Sequence, residues 1–217
     1  MVAASTVLGA AGEHYVMCQL LRRGLIAALA PAGVPNTDIV VTDDVGDRLC
    51  AVQVKTRQEK GTDGGWHMGA KHEKIFSDAL FYAFVDFGKN ASEFPNCFIV
   101  PSSVVASVIR RGHEKWLEAP GKSGQQRKDS DFRRFLPDYE KMGIDIGCGT
   151  GWLEEYRENW DLIIGSTNTS KPPLARSSPV PHPFPAASPS GRDPLVGLAK
   201  TLRKVPSSAP AAGRCRQ

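Results

Sequence analysis

The chain has 217 residues, 41% of them hydrophobic and 23% charged, with a formal net charge of +4. Those proportions belong to an ordinary globular protein of one or two domains, and no run reaches the roughly 18 consecutive apolar residues of a membrane span. The charge is unevenly placed: residues 166–217 are net +7, which leaves residues 1–165 at net −3, so the basic balance belongs to the C-terminal segment.

In chain order, residues 9–23, GAAGEHYVMCQLLRR, carry Val16, Met17, Leu20 and Leu21 at helical spacing, with Gly24 at the stop. Residues 25–30 read as a short strand. TDIVVT, 37–42, and RLCAVQVKT, 48–56, read as two strands joined by a polar turn. ALFYAFVDF, 79–87, and NCFIV, 96–100, read as two more. After Pro101, residues 102–118 return to helical spacing through Val105, Val108, Ile109 and Trp116. Residues 119–150 read as loop. Residues 151–164 read as a last helix, with Trp152, Tyr156 and Trp160 four apart. The expected fold class is therefore α/β: a mixed central sheet flanked by helices, occupying residues 7–165. The segment 166–217 holds ten prolines, eight serines and one acid, Asp193. It buries too little apolar surface to offset its chain entropy and reads as a disordered Pro/Ser-rich basic tail.

Five scattered cysteines, Cys18, Cys50, Cys97, Cys148 and Cys215, form no C-x-x-C pair. They point to reduced thiols and a cytoplasmic protein. Glu13 and His14 break the apolar N-terminus, which argues against a secretory signal.

The chemistry concentrates in the hairpin. A turn at Val45-Gly46 pairs residues whose numbers sum to 91, so Ile39 faces Val52 and Val41 faces Cys50. With Val54 these form one apolar face. On the other face Asp38 lies across from Gln53, and Lys55 is two residues further along. Glu13 precedes Met17 by four and Leu20 by seven, so it lies on the apolar stripe of its helix and needs a cation as partner. Glu13, Asp38, Gln53 and Lys55 together suit Mg²⁺-assisted phosphodiester hydrolysis. Mg²⁺ takes hard oxygen ligands and keeps several waters, so two carboxylates suffice, and Mn²⁺ is an equivalent ion for such a site. Asp38 is the expected main ligand. Gln53 and the Val54 backbone carbonyl would add neutral oxygens, Glu13 would bind directly or through water, and Lys55 would position the attacking water.

The stretch GAAGEHYVMCQLLRRG…NTDIVV…LCAVQVKT resembles the PD-(D/E)XK nuclease superfamily, in the branch where Gln replaces the acid to give Q-x-K. The resemblance covers residues 9–57. It implies a restriction-endonuclease-like fold and a metal-dependent endonuclease acting on DNA, with Glu13, Asp38, Gln53 and Lys55 as its catalytic set. Asn36-Thr37 departs from the family's usual Pro-Asp, and the neutral Gln53 removes one anionic ligand. A nuclease-fold protein that binds DNA without cutting it is the first alternative. A homodimer would suit cutting of both strands.

Residues 143–151, GIDIGCGTG, also match the D-x-G-x-G-x-G signature of S-adenosylmethionine-dependent methyltransferases through Asp145, Gly147, Gly149 and Gly151. That motif needs a buried strand before it and several strands after it, with an acid about 20 residues on to hold the ribose. Here DFRRFLPDYEKM precedes it and about 14 foldable residues follow, so the expected role is a glycine turn, with a methyltransferase as the least favoured alternative. Arg57, Arg110, Arg111, Arg127 and Lys128 are the candidate phosphate contacts. His67, His72 and His113 read as loop polarity. Trp66 reads as packing over the sheet edge.

Overall fold

A computed structural model describes residues 3–46, 49–58, 64–121 and 123–166. The expected tail lies outside these residues, apart from Ser166 at the end of the last helix. The first helix, α1, spans Ala4–Arg22. It is followed by strands β1 (Ile26–Leu29), β2 (Ile39–Thr42) and β3 (Leu49–Arg57). Next come β4 (Trp66–Gly69), a 3-10 turn at Ala70–Glu73, β5 (Leu80–Asp86) and β6 (Asn96–Pro101). Helix α2 (Ser102–Glu118), β7 (Phe132–Phe135) and α3 (Asp161–Ser166) complete the described chain.

Five strands form a mixed sheet in the order β1-β2-β3-β5-β6. Only β3 and β5 run parallel; the other neighbours are antiparallel. The hairpin register is the expected one, with Ile39 opposite Val52 and Val41 opposite Cys50. Alternation then sorts the side chains. Val52 and Val54 join Val16 and Leu20 of α1 in one core, with Phe81, Ala83, Val85, Trp160 and Ile163. On the other face Tyr82, Phe84, Phe98 and Val100 pack with Val105, Val108 and Ile109 of α2 in a second core. Strand β5 is buried along both faces, as its unbroken apolar run requires.

Two close approaches set the layers. Gly12 of α1 lies directly on β3: a Cβ there would come within 2.0 Å of the Thr56 hydroxyl. Gly112 of α2 lies against Tyr139, where a Cβ would be 2.5 Å from the ring.

Three regions differ from expectation. The glycine-rich stretch around Trp66 and the loop-rich stretch 119–150 each contribute a strand, β4 and β7, which pair antiparallel as a separate ribbon. Trp66 is 2% exposed, and its indole N–H donates to the Val85 carbonyl at 3.2 Å. The last helix is not continuous over 151–164. A 3-10 turn at Glu154–Tyr156 ends where Arg157 turns extended and bridges Phe98, and Glu158 takes a φ of 49°. The chain thereby crosses the sheet edge. Trp152 and Tyr156 pack in the α2 core, while Trp160 packs in the α1 core.

The segment 143–151 is a plug. Ile144, Ile146 and Cys148 are buried in the α2 core, and Gly143, Gly147 and Gly151 hold φ values of 72°, 70° and 86°. These backbone conformations suit glycine, which lets alternate side chains point inward. A 3-10 turn precedes the segment and another follows it, in place of the strand and helix of a cofactor loop.

Candidate active site at the end of β2

The site grows out of a strand that stops early. Asp38 stands just before the first residue of β2, and its backbone N–H still donates to the Val52 carbonyl at 3.0 Å. One step further along β3, nothing in β2 remains to pair with Val54. The Asp38 carboxylate takes over that rung: Val54 N–H donates to Asp38 Oδ2 at 2.7 Å. One oxygen of Asp38 is therefore fixed by the sheet, and Oδ1 remains for another ligand. In a strand the N–H and C=O of one residue point to the same side, so the Val54 carbonyl faces the same opening.

Gln53, between Val52 and Val54 on β3, is 8% exposed, and its Oε1 is buried without a hydrogen-bond partner. Leaving a buried amide oxygen unpaired costs roughly 1–3 kcal/mol. Lys55 follows on the same face, half-buried. Burial holds its pKa below the usual lysine range; Asp38 opposes that decrease and Lys71 adds to it.

Glu13 arrives from the other side of the sheet. The Gly12–Thr56 contact seats α1 low on β3, and Glu13 is the next residue. Burial raises the Glu13 pKa, the Asp38 charge raises it further, and His14 works in the opposite sense. The end of β2 is thus where a carboxylate from the α1 layer meets the Asp38, Gln53 and Lys55 cluster of the α2 face. The Asp38 carboxylate, a Glu13 carboxylate whose ionisation burial and the Asp38 charge disfavour, an orphaned amide oxygen and an outward carbonyl make a donor set of hard oxygens. That set fits Mg²⁺ or Mn²⁺. It is sparse: among the described residues no three His, Cys, Asp or Glu side chains gather as a metal cluster.

Beneath this cluster lies a pair that the sequence did not reveal. Tyr82 sits beside Gln53 in the parallel register and is fully buried. Its hydroxyl lies 2.7 Å from His72 Nδ1. Burial, with the Asp38 charge behind it, pushes the Tyr82 pKa up to about 12. Burial, then Lys55 and Lys71, push His72 down to about 4, so its imidazole is neutral. His72 was expected to be loop polarity; the only sequence signal for the pair was a phenol within an apolar strand.

The expected phosphate contacts separate. Arg57 pairs with Asp86 at 2.5 Å and lies 4.1 Å above the Trp66 ring. It shares with Lys55, Trp66 and His67 a cavity of about 290 Å³. None of the other four lines that cavity. Arg111 donates to the Ile146 carbonyl at 2.5 Å, bracing the glycine plug. Arg127 donates to the Trp116 carbonyl at 2.7 Å. Arg110 and Lys128 are exposed.

Among the described residues no helix is long and apolar enough to cross a membrane. No protein-family model and no curated protein matches the chain. Among solved structures it is similar to the bacterial homing endonuclease I-Ssp6803I, with 15% identity and a TM-score of 0.46 over 76% of this chain and 95% of that one. It is also similar to Hjc, a Holliday junction resolvase from the archaeal hyperthermophile Archaeoglobus fulgidus. That match has 15% identity and a TM-score of 0.35, over 64% of this chain and 91% of that one.

Proposed function

We propose that the chain is a metal-dependent endonuclease that hydrolyses DNA phosphodiester bonds at the end of β2. The observation that carries this reading is the buried, partnerless Gln53 Oε1 beside an Asp38 carboxylate whose other oxygen is held by the sheet. A group so placed has been desolvated for a ligand. Asp38 Oδ1, Gln53 Oε1, the Val54 carbonyl and Glu13, directly or through water, would hold Mg²⁺. When bound, the ion supplies Lewis acidity toward the scissile phosphate and lowers the pKa of water. Lys55 orients the attacking water and places positive charge against the phosphorane oxygens. Its partial burial strengthens that interaction relative to bulk water. Arg57, fixed by Asp86 and Trp66, binds a neighbouring phosphate in the same cavity. The Tyr82–His72 pair forms a neutral, rigid floor under Gln53 and Lys55.

A second reading is favoured by the sparse acid set: the same fold binding DNA without cutting it. Plasmid cleavage with Mg²⁺ or Mn²⁺ separates the two. The native chain is expected to cut, and Lys55→Ala to lose at least a hundredfold in rate, the usual contribution of a positioned proton-transfer or charge-stabilising group. Asp38→Asn keeps the bulk of the side chain and is expected to fall equally. Absence of metal-dependent cutting by the native chain, or cutting that survives in a folded Lys55→Ala, excludes the hydrolytic reading.

A further inference from the structure

The two-stranded ribbon joins the Lys55 cavity to a second one. Between α2 and β7 lies a cavity of about 410 Å³ whose walls include His113, Trp116, Arg127, Phe132, Arg134 and Tyr139. Among the described residues no aspartate or glutamate lines it. His113 and Trp116 stack with centroids 5.5 Å apart and planes 20° apart. Arg127 lies 4.7 Å over the indole as well as bonding its carbonyl, so the plate is rigid. The nearby Asp129 carboxylate is already engaged, by His113 at 2.7 Å and by Arg133. Phe132 presents a ring that is 47% exposed on the outer face of the ribbon, with the Arg134 guanidinium 5.7 Å from its centre.

We propose that this cavity receives an unpaired nucleobase, so that the preferred substrate carries a single-stranded or distorted segment beside the cut. Aromatic faces next to arginine, without acids, are what a base and its phosphates need: the ring stacks and the guanidinium meets the charge. Continuity supports the same occupant. His67 lies directly across the ribbon from Arg134, and its ring is 4.9 Å from Phe132. His67 lines the Lys55 cavity, while Arg134 and Phe132 line the second one, so the two share a wall. A strand with a phosphate at Lys55 would pass along that wall toward Phe132. The placement beside the cut rests on the hydrolytic reading above; the affinity for a base does not.

The test is binding of the full chain, in EDTA so that no cutting intervenes, to a fluorescent oligothymidylate and to an abasic oligomer of equal length and charge. The native chain is expected to bind the base-bearing strand on the order of tenfold more tightly, the worth of one or two stacked bases. Phe132→Ala removes an exposed ring and leaves the core intact; it is expected to abolish the preference, and Phe132→Trp to restore it. Equal affinity of the native chain for both strands, or a preference that survives Phe132→Ala, overturns the base pocket. Lys55→Ala separates the two ideas. If it loses cutting while the native preference is absent, the pocket alone is wrong. If it keeps cutting while the preference is present, the hydrolytic reading alone is wrong.

Discussion

Gly9 and Gly12 stand three residues apart in α1, and the same substitution should have opposite effects at the two. Within a helix interior, Gly→Ala gains about 0.8–1 kcal/mol from chain entropy and helix propensity. At Gly9 no atom lies within 4 Å of the added methyl, so that gain should be realised in full. At Gly12 the new Cβ would stand 2.0 Å from Thr56 Oγ1 and 3.1 Å from Thr56 Cβ. Overpacking of this kind costs about 1–3 kcal/mol, which exceeds the propensity gain. The helix must lift from β3, and Glu13 moves with it. Urea denaturation should therefore show Gly9→Ala with a raised midpoint and Gly12→Ala with a lowered one, at unchanged slope. A net loss of about 1 kcal/mol corresponds to a Tm lower by roughly 2–4 °C for a domain of this size. Thr56→Ala removes the hydroxyl that clashes; that hydroxyl has no hydrogen-bond partner, so its loss alone should cost little. Combined with Gly12→Ala it should recover most of the stability, and the non-additivity is the signature of contact. Equal shifts for Gly9→Ala and Gly12→Ala, or no rescue by Thr56→Ala, would refute the seating of α1 on Thr56.

Gln53→Glu adds a third carboxylate to the cluster. Without metal it should lower stability by roughly 3 kcal/mol, the cost of a buried unpaired charge, and Mn²⁺ titration should show tighter binding with recovery of the midpoint. A variant whose stability ignores Mn²⁺ would argue against an ion beside residue 53. His72 has a folded-state pKa below its unfolded value, so the unfolded chain binds the extra proton first. Its contribution to stability is complete above about pH 6.5 and is lost as pH falls toward about 4. His72→Gln should flatten the unfolding midpoint across that window, and an unchanged acid limb would show that another group controls it. Gly147→Ala meets no atom within 4 Å but must hold a φ of 70°. It should cost roughly 1–2 kcal/mol, with cleavage of DNA falling only as the folded fraction falls. Binding of S-adenosylmethionine by the native chain that Gly147→Ala abolishes would instead restore a cofactor role to the plug.

What the sequence made legible was local. The β2–β3 hairpin follows from period-two alternation and one turn, and together these dictate the register in which Ile39 opposes Val52 and Val41 opposes Cys50. Glu13 could be singled out because a carboxylate on an apolar stripe is costly. The ribbon was hidden because β4 and β7 are four residues each and find one another across more than 60 residues of chain. Trp152, Tyr156 and Trp160 had helical spacing, but Arg157 and Glu158 turn the backbone between them and send the rings to opposite faces. The His72–Tyr82 contact joins a 3-10 turn to a strand, and neither local pattern specifies the other. The glycine motif misleads for a related reason. Positive-φ glycines serve a tight phosphate loop and a buried plug alike, and only Ile144, Ile146 and Cys148 packing on α2 decides between them.

The separation in sequence between the ribbon's strands also sets an order of assembly. Helix α1 and strands β1–β3 can come together from contacts made early in synthesis, whereas β4 has no partner until residues 132–135 exist. Closing so long a segment is entropically slow compared with forming the hairpin. The nascent protein therefore holds Asp38, Gln53 and Lys55 on a half-finished molecule whose β4 strand is still unpaired. Trp66 and His67 of β4 line the cavity beside Lys55, so a chain stopped before residue 132 would carry the reactive groups next to a strand that has no partner.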